Sequence, residues 1–536
     1  MSGKIPDPIR AGLVTGWKVF DGAAQGQDLA WDADVVVIGS GAGGAVTAET
    51  LSQAGLDVLI LEEGGLYSSS DFRMLEAKAY SELYQDSAAR QTADKGITIL
   101  QGRAVGGGTT VNWTSSFRTP PDTLRWWQER YGLAELTPEA MRPWFELAEA
   151  RLGIAPWQPE PNGNNLVLER GCQALGLRHA RIRRNVKGCW NLGYCGMGCP
   201  TNAKQSMLVT CIPQALAQGA RLLARAKVER LQADLSNSRI LQVHGSLLAA
   251  DGVSVTGRRF AVRARHVVLA AGSIGSPAIM LRSGLADSAG LTGKRTFLHP
   301  VALSAALMPE LIEPFNGAPQ TVYSDHFMHT QSLDGPLGFK LEVPPIHPLL
   351  ASVTFPGFGH RQALLLKGLP HLHATLALLR DGFHPDSQGG EVRLRGDGSP
   401  LLDYPLNDVV WDGVYRSWLA MAELQFAAGA SQVMPLHERA EPADSWRQAR
   451  AMIEGLPLQA LQAKLVSAHV MGGMAMSDDP SRGVVDDFGR HWLWRNLSVI
   501  DGSIFPTSVG ANPQLSIYAF AWRAASELAR QLARPG

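Results

Sequence analysis

The chain has 536 residues, of which 45% are hydrophobic and 18% charged, and its 49 basic and 49 acidic side chains leave no formal net charge. This composition is typical of a core-forming globular protein and excludes a disordered one; the lack of basic blocks argues against nucleic acid as a partner. The length exceeds one ordinary core and predicts two large domains, or one domain with big insertions.

Residues 1–33 form a leader in which Ile9, Leu13, Trp17 and Phe20 recur at helical spacing. We expect a short helix packed on the body of the protein; a helix lying on a membrane surface is the alternative, although its polar face has few basic residues. The leader resembles no secretory signal, and no stretch approaches the ~20 apolar residues of a transmembrane helix. With five cysteines, an odd number, these features predict reduced thiols and a cytoplasmic protein.

A buried strand of a parallel sheet is predicted from Asp34 by the β-branched run DVVVIG. The following GSGAGG places Gly39, Gly41 and Gly44 in the G-x-G-x-x-G spacing of a dinucleotide-binding turn. Gly39 would allow the tight turn, Gly41 the approach of a pyrophosphate, and Gly44 close packing of helix on strand. The next strand, DVLILEEGG, ends at Glu62, a position suited to the ribose hydroxyls. The motif predicts a βαβ unit but does not choose between NAD and FAD.

A second glycine-rich stretch, GGGTTVN, contains Gly106, Gly107, Thr109 and Asn112. Successive glycines between strand-like segments let the backbone lie flat against a large planar ligand. We therefore predict that these four residues contact the cofactor.

Three cysteines, Cys189, Cys195 and Cys199, lie close together in the spacing C-x5-C-x3-C-P, whose ending resembles bacterial ferredoxin motifs. A four-iron cluster requires a fourth cysteine, and zinc requires a fourth ligand that is not nearby. Cys172 and Cys211 lie outside the run and are expected to be core thiols. Reduced structural thiols, an iron–sulfur cluster and a redox-labile pair all stay open.

The second half of the chain changes character twice. From Val267 the strand, glycine turn and helix pattern recurs, whereas residues 300–445 are rich in proline and histidine and predict a substrate-side domain. Within it, residues 344–379 are strongly apolar, which indicates either ordinary core or an apolar channel or membrane-facing rim. His469 follows, among small residues that suit packing against a flat cofactor, although composition alone cannot select it from fourteen histidines.

Four blocks together resemble the glucose-methanol-choline (GMC) oxidoreductases, which bind FAD. They are the N-terminal βαβ unit, GGGTTVN, AAGSIGSPAIMLRSG and the C-terminal VIDGSIFPTSVGANPQLSIYAFAWRAA, in the family's order over nearly the whole chain. The resemblance implies an α/β fold, with a Rossmann-like FAD-binding domain interleaved with an α+β substrate-binding domain. The expected segments are a leader (1–33), FAD-binding parts (34–118, 187–298 and 451–536) and substrate-binding parts (119–186 and 299–450).

The resemblance also implies roles in cofactor binding. Glu62 would hold the adenosine ribose, Val228 would contact the adenine through its backbone, and Asn112 would sit beside the flavin. Asp501 and Gly502 would lie near the pyrophosphate and the ring.

The resemblance further implies a catalytic pair. His469 matches the family's active-site histidine, expected to take the hydroxyl proton as hydride leaves for flavin N5. Asn512, in GANPQLS, matches its partner and would orient the substrate oxygen. We expect His299 and His491 to be structural.

The stretches IPDPIRAGLVTGWKVFDGA and GYCGMGCPTNAKQS resemble the long-chain fatty alcohol oxidase branch, which implies a hydrophobic primary alcohol oxidised to the aldehyde. Sterol, terpenoid, aromatic and sugar alcohols stay open. A lyase or decarboxylase of the same superfamily is the second hypothesis. A non-catalytic carrier is disfavoured because both His469 and Asn512 are present.

The electron acceptor depends on the cysteine run. Some flavin subunits of this superfamily carry a three-iron, [3Fe-4S], cluster on three cysteines, so Cys189, Cys195 and Cys199 are candidate ligands that would pass electrons to a quinone or cytochrome. Without a cluster, oxygen and soluble carriers are equally open. Peripheral contact with the inner membrane face is an accompanying expectation.

Overall fold

The computed structural model describes residues 5–285 and 287–533. Within these ranges the α-helices are α1 (Pro8–Val14), α2 (Ala42–Gln53), α3 (Glu76–Leu83), α4 (Gly108–Val111), α5 (Pro121–Tyr131), α6 (Pro138–Leu152), α7 (Gly163–Ala174), α8 (Cys211–Ala217), α9 (Gly272–Arg282), α10 (Pro348–Thr354), α11 (His360–Lys367), α12 (Asp408–Ala427), α13 (Trp446–Glu454) and α14 (Gln514–Ala533).

The strands are β1 (Val19–Asp21), β2 (Leu29–Ile38), β3 (Val58–Leu61), β4 (Ile97–Ile99), β5 (Ile154–Pro156), β6 (Ala180–Arg181), β7 (Arg183–Asn185), β8 (Arg221–Ala224), β9 (Ala226–Asp234), β10 (Arg239–Leu248), β11 (Val255–Leu269), β12 (Lys294–Phe297), β13 (Val301–Leu307), β14 (Val322–Tyr323), β15 (Phe339–Glu342), β16 (Leu372–Leu379), β17 (Gly390–Leu394), β18 (Pro400–Asp403), β19 (Gln432–Pro435), β20 (Leu465–Ser467), β21 (Met471–Gly472) and β22 (Leu497–Val499).

The first large sheet has the order β1-β8-β3-β2-β11-β10-β9, with β22 also paired to β11. Its β1, β8, β3, β2 and β11 run parallel, as do β11 and β22. The predicted βαβ unit is β2–α2–β3. However, β2 begins at Leu29 rather than at the predicted Asp34, because residues 29–33 continue the pairing with β11.

The leader is only partly helical. Helix α1 buries Ile9 and ends before Gly16, which has φ +92°. The helical spacing predicted through Phe20 is therefore wrong beyond the first two turns. Residues 19–21 instead form β1, which extends the edge of the first sheet.

A second sheet, in the order β15-β16-β13-β20-β4 with β19 on β13, stands beside the first. Alternate residues of β13 and β16 belong to different apolar clusters, so the sheet has a core on each face. One face carries α12 and the other α10 and α11. This arrangement confirms the predicted α/β class with a Rossmann-like domain and a second sheet beside it, whereas the assignment of the second unit to the substrate stays a prediction.

The apolar stretch 344–379 divides into two parts. Strand β16 is buried along its whole length, as ordinary core. The preceding residues 348–367 form α10, a turn and α11, which we call the α10–α11 hairpin, and part of its apolar surface faces solvent. In the part of the chain that the structure describes, no helix is long and apolar enough to cross a membrane.

Candidate active site

A cavity of about 1150 Å³ lies between the ends of the parallel strands of the first sheet and the second sheet. Eleven of the thirteen residues predicted to bind cofactor or substrate line it: Gly39, Gly41, Glu62, Gly107, Thr109, Asn112, Val228, His469, Asp501, Gly502 and Asn512. Gly44 and Gly106 do not line the cavity. The fold therefore brings residues from distant parts of the sequence to one space.

The glycine turn after β2 has the shape that the motif predicts. Gly39 has φ +103°, and a Cβ added to Gly44 would lie 2.0 Å from the Gly39 carbonyl oxygen, so close packing of helix on strand requires glycine there. A Cβ on Gly41 would meet only the Cα of Gly107, at 3.8 Å. The backbones of the two glycines pack against each other, since a Cβ on Gly107 would lie 2.7 Å from the Gly41 Cα. The open space lies in the cavity beside Gly41, at the N-terminus of α2, which fits a pyrophosphate.

Glu62 is buried at the end of β3, where one carboxylate oxygen accepts hydrogen bonds from the Ser40 N–H (3.0 Å) and hydroxyl (2.6 Å). The other accepts from the Gly64 N–H at 2.8 Å. Burial raises the pKa of Glu62 against the lowering effect of these bonds. Each carboxylate oxygen has two lone pairs, so Glu62 retains capacity for a ribose hydroxyl.

Asp501 joins two parts of the cavity wall. Its buried carboxylate accepts hydrogen bonds from the Gly272 N–H (2.8 Å), the Ser276 hydroxyl (2.6 Å) and the Ser503 N–H (2.8 Å). Burial raises its pKa in spite of these donors. Asp501 thus fixes the start of α9 against the C-terminal segment that carries Gly502.

The GGGTTVN segment is held in place by its own polar side chains. The Thr109 hydroxyl donates to the Gly106 carbonyl at 2.6 Å and accepts from the Met207 N–H at 3.0 Å. The Asn112 amide donates to the Gln514 side chain at 2.7 Å. These hydrogen bonds fix the GGGTTVN segment, which forms part of the cavity wall.

His469 contacts a second histidine. Its Nδ1 lies 3.2 Å from Nδ1 of His299, whose Nε2 accepts a hydrogen bond from the Gly510 N–H at 3.1 Å. His299 has φ +45°, and the Asp381 carboxylate accepts its backbone N–H at 3.1 Å. Histidine enters this region more readily than most residues, and His299 is one of fifteen described non-glycine residues with positive φ. Sequence reasoning had assigned His299 a structural role only.

Both histidines of this pair are expected to be neutral near pH 7. Burial, and secondly the positive charge of Lys340, lower the pKa of His469 to about 3. Burial and the neighbouring His469 move the pKa of His299 well below its usual value. His491, by contrast, is buried away from the cavity, and its Nδ1 accepts the Leu493 N–H at 3.1 Å.

Asn512 is fixed by a buried ion pair that sequence reasoning missed. The Lys340 ammonium lies 2.7 Å from the Glu342 carboxylate and donates to Asn512 Oδ1 at 2.8 Å. The Asn512 amide donates to Glu342 at 3.1 Å. Lys340 also lies 3.0 Å from the centre of the Phe117 ring, in cation–π contact. The three side chains form a closed triangle beside the two histidines.

The cysteine run is present as free thiols with polar neighbours. The Cys189 sulfur accepts the Asn191 N–H, Cys195 is contacted by Arg184, and Cys199 pairs with the Thr201 hydroxyl. Across residues 5–285 and 287–533, no group of three or more histidine, cysteine or acidic side chains is placed to hold a metal ion. The structure therefore gives no support to Cys189, Cys195 and Cys199 as cluster ligands, and the cluster stays a hypothesis.

Cys172 and Cys211 are fully buried, as expected of core thiols. Burial raises the pKa of both. All five cysteines, which lie in the described ranges, are free of disulfides.

Comparison with known proteins gives consistent results over most of the chain. Residues 80–301 and 385–521 match the two GMC oxidoreductase domains, and residues 37–70 match an NAD(P)-binding Rossmann-like domain. A GMC-type oxidoreductase of Mycobacterium tuberculosis, Rv0492c, is 33% identical over 500 residues, covering 92% of this chain and 75% of that protein.

Two further relatives bear on fold and function. The long-chain-alcohol oxidase FAO4B of Arabidopsis thaliana is 30% identical over 531 residues, covering 93% of this chain and 67% of that protein. The solved structure of a formate oxidase of Aspergillus oryzae, studied for FAD modification, has a TM-score of 0.70 at 15% identity, covering 94% of this chain and 99% of that one. The latter likeness shows the fold.

Proposed function

Because the chain belongs to the GMC oxidoreductase family, we propose that it is an FAD-dependent enzyme that oxidises a hydrophobic primary alcohol to the aldehyde. The observation that carries this proposal is the single cavity, which has the glycine turns at one end and His469 and Asn512 at the other. A dinucleotide cofactor and an alcohol can therefore meet in one space.

The residues present fit FAD. A side chain at Gly41 would project into the cavity, one at Gly107 would clash with the Gly41 backbone, and the N-terminus of α2 offers free N–H groups to the phosphates. Glu62 and Val228 lie in the wall where the adenosine half is expected. When bound, FAD supplies an acceptor for the hydride that leaves the alcohol carbon.

His469 is proposed to take the hydroxyl proton at Nε2. Its low pKa keeps the ring neutral at physiological pH, and a neutral imidazole has one nitrogen free to accept. Asn512 cannot take a proton. One of its two amide protons is donated to Glu342, and the other is available to the substrate oxygen.

The proton balance places a condition on the ring of His469. Nε2 is free only when Nδ1 carries the ring proton and donates it to His299. His299 would then be protonated at Nε2 and lose the hydrogen bond from Gly510. That change leaves the Gly510 N–H facing a second donor, and a buried donor without an acceptor costs about 1–3 kcal/mol.

We propose a hydrophobic substrate because the end of the cavity that contains His469 is lined by apolar side chains. Trp113, Val301, Leu376, Leu378 and Val466 line it and also belong to one apolar cluster. An alkyl chain placed there would leave water at about 0.8 kcal/mol for each buried CH₂. The Arabidopsis relative is a long-chain-alcohol oxidase, which supports this substrate class and oxygen as acceptor.

The test is anaerobic reduction of the bound flavin by primary alcohols from ethanol to hexadecanol, followed by flavin absorbance. We expect bleaching that becomes faster with chain length. His469→Ala should retain flavin and lose about 10²–10⁴-fold in rate, whereas His244→Gln, outside the cavity, should not. Flavin that no alcohol bleaches would contradict the proposal and favour a lyase or decarboxylase.

A further inference from the structure

The α10–α11 hairpin forms part of an exposed apolar surface. Phe358 at its tip is 89% exposed and Val353 69% exposed, which is unusual for side chains of this size in a folded protein. We call the following set of exposed residues the hairpin patch: Met74, Leu75, Leu349, Val353, Phe358 and Leu364.

Two distant parts of the sequence are held together to make this patch. The Glu76 carboxylate accepts the backbone N–H groups of Leu349 (2.7 Å) and Leu350 (2.8 Å), the second and third residues of α10. Glu76 thereby places the adjacent Met74 and Leu75 next to the hairpin. Its acidic charge caps the N-terminus of α10, where a carboxylate is favourable.

The tip is shaped to present its aromatic ring. Phe358 lies between Gly357 and Gly359, which have φ +100° and +61°. Other residues rarely adopt these angles, so the two glycines permit a tight turn that projects Phe358 into solvent. A scattered surface apolar residue needs no explanation, but an apolar set built around a glycine-flanked aromatic tip does.

The hairpin itself carries basic but no acidic side chains, because no acidic residue occurs between positions 343 and 380 of the sequence. Arg361 of α11 forms an ion pair with Glu441. Lys367 ends α11 and Arg73 precedes Met74; both are exposed, and neither forms an ion pair with a described residue. An apolar surface bordered by free basic side chains is complementary to anionic phospholipid headgroups.

The patch also lies over the apolar end of the cavity. The inner face of the hairpin, with Ala351 and Phe355, packs in the same cluster as Val301, Leu376 and Leu378, which line the cavity. Thus one continuous apolar cluster connects the hairpin with the wall of the cavity.

We propose that the hairpin patch docks on the surface of an anionic phospholipid bilayer. Phe358, Val353 and Leu364 insert among the acyl chains, while Lys367 and Arg73 contact the headgroups. Docking places the apolar end of the cavity against the lipid phase, from which, if the proposed function holds, a long-chain alcohol enters.

The test is flotation of the FAD-loaded protein with vesicles of phosphatidylcholine and phosphatidylglycerol in equal parts, without alcohol. We expect the wild-type protein to float. The triple variant Val353→Ser/Phe358→Ser/Leu364→Ser should bind the vesicles at least about tenfold more weakly than the wild type, because its inserting groups are polar. The matched control Leu235→Ser/Val253→Ser, at sites 77% and 74% exposed elsewhere, should float like the wild type.

Either of two flotation results would overturn the proposal: the wild-type protein does not float, or the triple variant floats as well as the wild type. A third contradicting result would be a wild-type dimer in light scattering that becomes a monomer in the triple variant, while neither form binds vesicles. The last result would make the patch an interface between two copies. Flavin reduction by a short water-soluble alcohol, measured on both forms, separates failure of docking from failure of the proposed chemistry.

Discussion

The Nδ1 atoms of His299 and His469 lie 3.2 Å apart, and Gly510 donates its N–H to the other nitrogen of His299. A neutral imidazole has one donor and one acceptor nitrogen. His299 accepts at Nε2, so its proton is on Nδ1 and is donated to His469. His469 is consequently protonated at Nε2 in this arrangement, and the partner histidine controls when that nitrogen becomes a base.

Replacing His299 should therefore change catalysis without emptying the cofactor site. His299→Leu removes the group that orients the His469 ring, and we expect flavin reduction to slow by about 10–100-fold, less than loss of a general base. Rapid-mixing absorbance over a range of pH measures this. The variant should keep its flavin spectrum. Its melting temperature in the presence of FAD should fall only slightly. A rate and pH profile equal to those of the wild type would show that the contact has no catalytic role.

The Lys340–Glu342 pair should control the pH dependence of the same step. Burial is the main cause of the low pKa of His469 and the charge of Lys340 the second, so Lys340→Met should raise that pKa in part. Since protonated His469 cannot accept a proton, the rate of the variant should begin to fall at a higher pH than the wild-type rate when the solution is acidified. Flavin reduction rates from acid to neutral pH provide the measurement.

The same substitution should also destabilise the fold, because it leaves the Glu342 carboxylate buried and unpaired. We expect a loss of about 3–5 kcal/mol in the free energy of unfolding. Lys340→Met/Glu342→Gln removes the unpaired charge and should recover most of it. Denaturant unfolding of both variants tests this. Equal stability of the single and double variants would show that the unpaired Glu342 charge is not the cause of the loss.

The cofactor half of the site was largely predictable because its signals are local. The spacing of Gly39, Gly41 and Gly44 and the position of Glu62 depend on one βαβ unit, which sequence periodicity describes well. The first strand nevertheless begins earlier than predicted, at Leu29, because pairing with β11 is not encoded in the strand's own hydrophobicity.

The catalytic half was less predictable because its contacts are long-range. Phe339–Val343 alternates apolar and polar residues, a pattern that normally places Lys340 and Glu342 in solvent. In the fold, the polar side of β15 faces the site, and both side chains are nearly inaccessible. His299 is 170 positions from His469, and no periodicity connects them.

Gly41 provides a test of cofactor binding that is separate from folding. A methyl group there would meet no protein atom closer than 3.8 Å, so Gly41→Ala should fold normally as apoprotein. It would project into the cavity at the N-terminus of α2, and we expect FAD affinity to fall by about tenfold or more through steric exclusion. Titration of apoprotein with FAD, followed by protein fluorescence, measures this.

The matched control is Gly26→Ala, whose added methyl also meets no atom within 4 Å and lies outside the cavity. It should bind FAD like the wild type. Equal FAD affinity of Gly41→Ala and wild type would remove Gly41 from the cofactor site.

The cysteine run should behave as independent thiols. Burial opposes the Cys199 thiolate, but hydrogen bonds from Thr201 and Lys204 outweigh it and lower the pKa of Cys199, whereas burial raises the pKa of Cys189. Because thiolate is the reactive form, iodoacetamide at neutral pH should label Cys199 first and leave the fully buried Cys172 and Cys211 unlabelled. Peptide mass spectrometry over time gives the order, and anaerobically purified protein should contain no iron or acid-labile sulfide. About three irons per chain, with Cys189, Cys195 and Cys199 protected together, would instead establish a cluster and redirect the search for an electron acceptor to a quinone or cytochrome.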